Sequence, residues 1–136
     1  MSHPGNLLQK AIYDALMAHA PLATAMGGTA RVYDRVPQGP TFPYVTIGDE
    51  QLLDDSTTCD PDAFEVYFDI HVWTDAVGLP QGKVIAGAVR DAILAGLTLS
   101  GWTCPTPSYQ TERHFRDADG MRGHGVLTFR AFLNKI

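Results

Sequence analysis

The 136 residues, 45% apolar and 18% charged, suffice for one domain with its own core and exclude wholesale disorder. No apolar run approaches the length of a membrane span, and Met1-Ser2-His3-Pro4-Gly5 lacks the basic-then-apolar order of a signal peptide. The formal charge is −5, no basic stripe with interleaved aromatics is present, and a nucleic-acid-gripping surface is therefore disfavoured.

A first helix is expected from about Leu7 to Ala20, with Asn6 as its cap and Gln9 as the capping-box partner. Leu8, Ile12, Ala15, Leu16 and His19 share one stripe, and Pro21 is expected to stop the helix. A Leu22–Met26 turn and Gly27-Gly28 lead to a short strand at Arg31–Tyr33. Three prolines and a glycine in Val36–Pro43 bar that segment from the middle of a sheet. Tyr44–Gly48 reads as the next strand, and Gly48–Ala63 reads as a long polar loop. The Leu52-Leu53 pair stands among carboxylates there. It either folds back onto the domain or meets a partner.

Phe64–Thr74 is the clearest strand. Phe64, Val66, Phe68, Ile70 and Val72 alternate with Glu65, Tyr67, Asp69, His71 and Trp73, the period of a sheet with one buried face. Tyr67 and Trp73 give the second face an amphipathic character, fitting partial cover by a neighbour or cross-strand pairing within the chain. After a turn over Asp75–Gly82, a helix should run to about Ala95. Its stripe is Val84, Ile85, Ala88, Val89, Ala92 and Ile93, with Gly96 as the C-terminal cap. Pro105 and Pro107 mark an irregular segment. Ser108–Arg116, a turn at Asp117-Ala118-Asp119-Gly120 and Gly125–Leu133 form a hairpin, with Leu127, Phe129, Ala131 and Leu133 on one face.

Charge is unevenly placed. Between Arg35 and Lys83 there is no cation, while Asp49, Glu50, Asp54, Asp55, Asp60, Asp62, Glu65, Asp69 and Asp75 fall in that interval. Arg113, Arg116, Arg122, Arg130 and Lys135 make the end basic. A solvated acidic loop accounts for the first cluster; two faces of one subunit that dock on further copies account for both.

No set of reactive residues is complete. Asp117–Gly120 resembles the start of a calcium loop, but the later bidentate Glu is missing. His71, His114 and His124 with Cys59 or Cys104 lack the short paired spacings of a zinc site, and two cysteines without a secretory signal are expected as free thiols. Ser100-Gly101 is no nucleophile elbow, and the glycine-rich Gly120–Gly125 is not followed by a helix that could hold phosphate. Neither an enzyme, a cofactor nor a metal is expected.

The order of Arg31-Val32-Tyr33, Pro43-Tyr44-Val45-Thr46-Ile47-Gly48, Asp69-Ile70-His71-Val72-Trp73 and Asp119-Gly120 resembles the tail-terminator, or tail-completion, proteins of long-tailed bacteriophages and gene transfer agents. The resemblance spans Leu7 to about Phe132. It implies a single α/β (α+β) domain over 1–136: a mostly antiparallel or mixed sheet, covered on one face by two helices, with long inter-strand loops. It further implies a virion protein, made in the host cytoplasm, that forms a hexameric ring at the head-proximal end of the tail. Such a ring caps the tail tube protein, halts its polymerisation and meets the head–tail connector or stopper. Double-stranded DNA passes through the lumen without specific binding, and no membrane is involved. Asp49, Glu50, Leu52, Leu53, Asp54, Asp55, Arg113, Arg116 and Arg122 are the expected subunit or partner contacts, with Asp49, Glu50, Asp54 and Asp55 towards the ring interior or its axial surface. The competing assignments are a head-completion or stopper ring at the portal and a small hydrolase or metal enzyme.

Overall fold

In the computed structural model, which describes residues 3–75, 79–118 and 120–136, the chain begins with helix α1 (Pro4–Ala18). It starts earlier than expected because His3, not Asn6, is the cap: its Nδ1 accepts the Gly5 N–H at 2.9 Å, and Pro4 opens the first turn. Pro21, expected to stop that helix after Ala20, comes after its end at Ala18. It lies in the first turn of a second short helix, α2 (Ala20–Ala25), where a missing N–H is harmless.

The chain then enters strand β1 (Val32–Tyr33), parallel to β2 (Tyr44–Asp54). Arg31 secures this junction, donating from Nε to the Pro43 carbonyl at 2.9 Å and from Nη2 to the Met26 carbonyl at 3.0 Å. Strand β2 runs six residues further than the expected Tyr44–Gly48 and takes in much of the expected loop. A bulge between Ile47 and Glu50 resets which side chains face the core, so Leu52 pairs with Val66 and packs on the core while Leu53 pairs with Glu65 on the other face. Only the stretch after Asp54 and before Ala63 connects β2 to β3 (Ala63–Thr74).

Helix α3 (Pro80–Leu94) follows and ends where Gly96 takes φ 110°. Its buried stripe is Ile85, Ala86, Ala88, Val89, Ala92 and Ile93. Val84, expected in that stripe, is 63% exposed, and Ala86 takes its place. After the two-residue strand β4 (Trp102–Thr103) comes the hairpin of β5 (Ser108–Arg116) and β6 (Gly123–Lys135). Asp119 of its turn lies outside the described residues.

The six strands form one mixed sheet in the order β1-β2-β3-β6, with β4 and β5 both on the far side of β6. Strands β3 and β6 are its spine, antiparallel over twelve paired positions from Ala63↔Asn134 to Thr74↔Gly123. One face of the sheet carries Val66, Phe68, Ile70 and Val72 beside Leu127, Phe129, Ala131 and Leu133, with Phe68 and Phe129 stacked at 5.4 Å. Leu8, Ile12 and Leu16 of α1 and Ile85, Val89 and Ile93 of α3 close over that face. Burial of these fully enclosed aliphatic and aromatic groups, each worth roughly 1.5–3 kcal/mol, is the main stabilising term. The expected two-helix cover is present, with α2 added beside α3.

Candidate assembly surfaces

Two parts of the molecule lie outside the helix–sheet core: the face of the sheet turned from the helices, and the sheet's two lateral margins. Alternation along β3 places Tyr67, Asp69, His71 and Trp73 on the uncovered face. Across it, in register, Tyr44 of β2, Trp73 of β3, His124 of β6 and Phe115 of β5 form a row over four strands. Trp73 stacks on His124 with ring centres 3.7 Å apart, and Phe115 leans on the other side of the imidazole at 4.7 Å. The Trp73 indole N–H donates to Thr46 Oγ1 at 3.3 Å. His71 Nδ1 and His124 Nε2 lie 2.8 Å apart and share a hydrogen bond. Burial, with the neighbouring His71 second, depresses the His124 pKa from 6.5 to about 4.

Further along the same face, Thr128 Oγ1 donates to Asp69 Oδ1 at 2.7 Å. Arg130 donates from Nε to Glu65 Oε2 at 2.7 Å, and its guanidinium lies 4.6 Å from the centre of the Phe132 ring. The uncovered face is thus a polar–aromatic surface whose side chains already satisfy one another. His114 lies on the opposite, helix-facing side: a Cβ on Gly125 would stand 2.9 Å from its ring and one on Gly82 3.8 Å away. There His114 Nε2 meets Glu112 Oε2 at 2.6 Å, and Tyr109 donates to the other oxygen of that carboxylate at 2.6 Å. The three histidines therefore divide between two sides of a sheet. Among the described residues, no three of His, Cys, Asp and Glu converge as metal ligands would. Cys59 and Cys104 are free thiols. Among the described residues, no helix is long and apolar enough to cross a membrane.

The charged residues singled out in the sequence separate onto the two margins. Asp49, Glu50, Asp54 and Asp55 are exposed along the outer half of β2 and just past it. Glu50 Oε1 approaches Gly5 at the start of α1, where desolvation raises its pKa and the nearby His3 lowers it. Leu53 is 39% exposed. Arg113 and Arg116 are exposed on β5, the opposite margin, with the Arg113 guanidinium 5.5 Å from the Phe115 ring centre. Arg122 does not join them; it reaches over Phe42, 5.0 Å from the ring centre, near the start of β2. Sequence reasoning passed over the His71–His124–Trp73 cluster as a unit. Its trace was the two-residue spacing of His71 and Trp73 on an alternating strand.

Comparison with known proteins gives this architecture a context. The family model described as tail completion protein gp17 matches residues 10–134. Among solved structures, a chain from the virion of a native gene transfer agent particle is similar at 36% sequence identity and a TM-score of 0.85, with 96% of each chain covered. The gp17 protein of bacteriophage SPP1 is similar at 23% identity and a TM-score of 0.60, with 98% of this chain and 91% of that chain covered, a likeness of fold. No curated protein matches. A match over 125 of 136 positions, on a fold shared with a virion chain, is decisive: the chain belongs to the tail completion protein gp17 family, structural proteins of the virion tail and not enzymes.

Proposed function

We propose that this chain closes into a hexameric ring at the head-proximal end of the tail, where it caps the tail tube, stops tube polymerisation and joins the head connector. The observation that carries the reading is the pair of unlike margins on one sheet, acidic along β2 and basic along β5. A head-to-tail ring needs two different, complementary surfaces on each subunit, whereas a two-fold dimer reuses one. The family model and the likeness to a gene transfer agent virion chain support the tail as the setting. A net charge of −5 per subunit would repel the phosphates of a duplex in the bore, so that DNA slides instead of adhering.

Native mass spectrometry of the purified chain, alone and with tail tubes of its own particle, tests the proposal. A six-subunit species that ends tube growth is expected. A chain that stays monomeric on the tubes, or tubes that lengthen unchecked in its presence, overturns it.

A further inference from the structure

We infer that neighbouring copies join by antiparallel pairing of the free edge of β2, over Gly48–Asp54, with the free edge of β5, over Ser108–Arg116. The inference rests on the ring reading and adds the surface through which the copies meet. Three observations converge on it.

The first is unfilled hydrogen-bonding capacity. Strand β1 covers β2 only at Val45 and Thr46, so the rest of β2 has β3 on one side and no described strand on the other. Strand β5 has β6 on one side and ends the sheet. Alternate backbone groups along both margins point away from their own sheet, the condition under which a strand recruits another.

The second is polarity. Strands β2, β3, β6 and β5 alternate in direction, each antiparallel to the next. Strand β2 of one copy and β5 of the next therefore run oppositely when the copies share one orientation about a ring axis. The antiparallel alternation continues across the boundary without a break, and each added copy leaves the same two free margins until the ring closes.

The third is charge. The β2 margin carries Asp49, Asp54 and Asp55 and no cation, while Glu50 is turned to the start of α1. The β5 margin carries Arg113 and Arg116, with Arg90 of α3 stacked over Tyr109 at 4.8 Å. Its one carboxylate, Glu112, is turned to the helix side and occupied by Tyr109 and His114. Acid against acid disfavours β2–β2 pairing and base against base disfavours β5–β5 pairing, so the two-fold alternatives are repelled. The bulges at Ile47/Glu50 and Tyr109/Thr111 bend both margins and restrict pairing to a partner of matching curvature.

Charge reversal tests this in the full chain. Asp49→Arg should abolish the ring, as should Arg113→Glu, its diagonal partner in the pairing of Gln51 with Arg113, each weakening self-association at least tenfold while the monomer's circular dichroism stays unchanged. Both changes in one chain should restore the ring, because every boundary then carries the swapped pair. A second measurement reads the geometry directly. With Cys59→Ser and Cys104→Ser as background, Leu53→Cys with Thr111→Cys, or Gln51→Cys with Arg113→Cys, should give a ladder of oxidised oligomers in the assembled state. Rings that survive both reversals and give no such ladder overturn the edge pairing and leave the ring intact. A wild-type chain that never oligomerises on tubes removes the ring reading itself, and the two failures are told apart by that control.

Discussion

His71 and His124, 2.8 Å apart nitrogen to nitrogen, can share only one proton without two cations facing each other. Trp73 and Phe115 pack against the His124 ring and partly desolvate it, which opposes a charge there still further.

This pair makes stability depend on pH in a defined window. The folded pKa of His124 is depressed to about 4 from 6.5, so between those values the unfolded chain binds more protons than the folded one. Stability therefore rises with pH from about 4 to 6.5 and is flat in this respect above it. The span should be about 1–2 kcal/mol, below the full conversion of the shift because the ring is partly exposed. Asp117 opposes the depression and Arg113 adds to it. Glu112, whose pKa is lowered on balance by its bonds to Tyr109 and His114 although burial opposes this, adds a loss of the same sign on acidification through the carboxylate range. Urea titrations at a series of pH values check this, and His124→Phe should erase the slope above the carboxylate range. A wild-type curve that is flat from pH 4.5 to 6.5 contradicts it.

Gly48→Ala should cost about 1–3 kcal/mol, the usual range for overpacking. Its new Cβ would lie 2.5 Å from the His71 ring and 3.3 Å from the Asp69 carbonyl. The ring has little room to retreat because His124 and Trp73 hold it. In a His71→Ala background the same change should cost clearly less, and a double-mutant cycle of thermal unfolding measures the difference.

Leu52 and Leu53, adjacent in sequence, should respond oppositely. Leu52→Asp places a charge against the core and should destabilise the monomer by about 1–3 kcal/mol. Leu53→Asp, on the uncovered face, should change monomer stability by no more than about 0.5 kcal/mol. Chemical denaturation of the two single variants distinguishes them. An Asp pair introduced to probe partner contact would therefore confound folding with binding, and Leu53 alone is the useful probe.

Phe129→Ala should remove about 3–5 kcal/mol, a large fraction of the stability of a typical small domain. The ring is fully buried against Phe68 across the central strand pair. The midpoint in urea reports it. Phe129→Leu should recover much of the loss.

The central strands and α3 were legible because their apolar periods are uninterrupted: Phe64–Val72, Ile85–Ile93 and Leu127–Leu133 each bury one side. The outer half of β2 was not. Its bulge inserts an extra residue just where the sequence turns acidic, so the alternation that would betray a strand is shifted out of phase. Its uncovered side also faces no core and needs no apolar residue. The cap at His3 was hidden because an imidazole replaced the usual hydroxyl or carboxamide acceptor. Among the expected contact residues, two charge clusters were legible in the sequence, but not that β3 and β6 would hold them apart at opposite ends of one sheet. The sequence also grouped Arg122 with Arg113 and Arg116, whereas its guanidinium stacks on Phe42.

The spine of the sheet is built from strands remote in the chain: Asp69 and Thr128, side by side in the fold, are 59 positions apart. Closing so large a loop precedes any gain from the contacts it makes, which favours slow folding and a late, cooperative commitment. The hairpin of β5 and β6 can form early, but it has nothing to dock on until β3 arrives. Both margins acquire their final spacing in that single step, so an immature chain cannot present them as a matched pair, and the proposed ring must wait for a finished monomer.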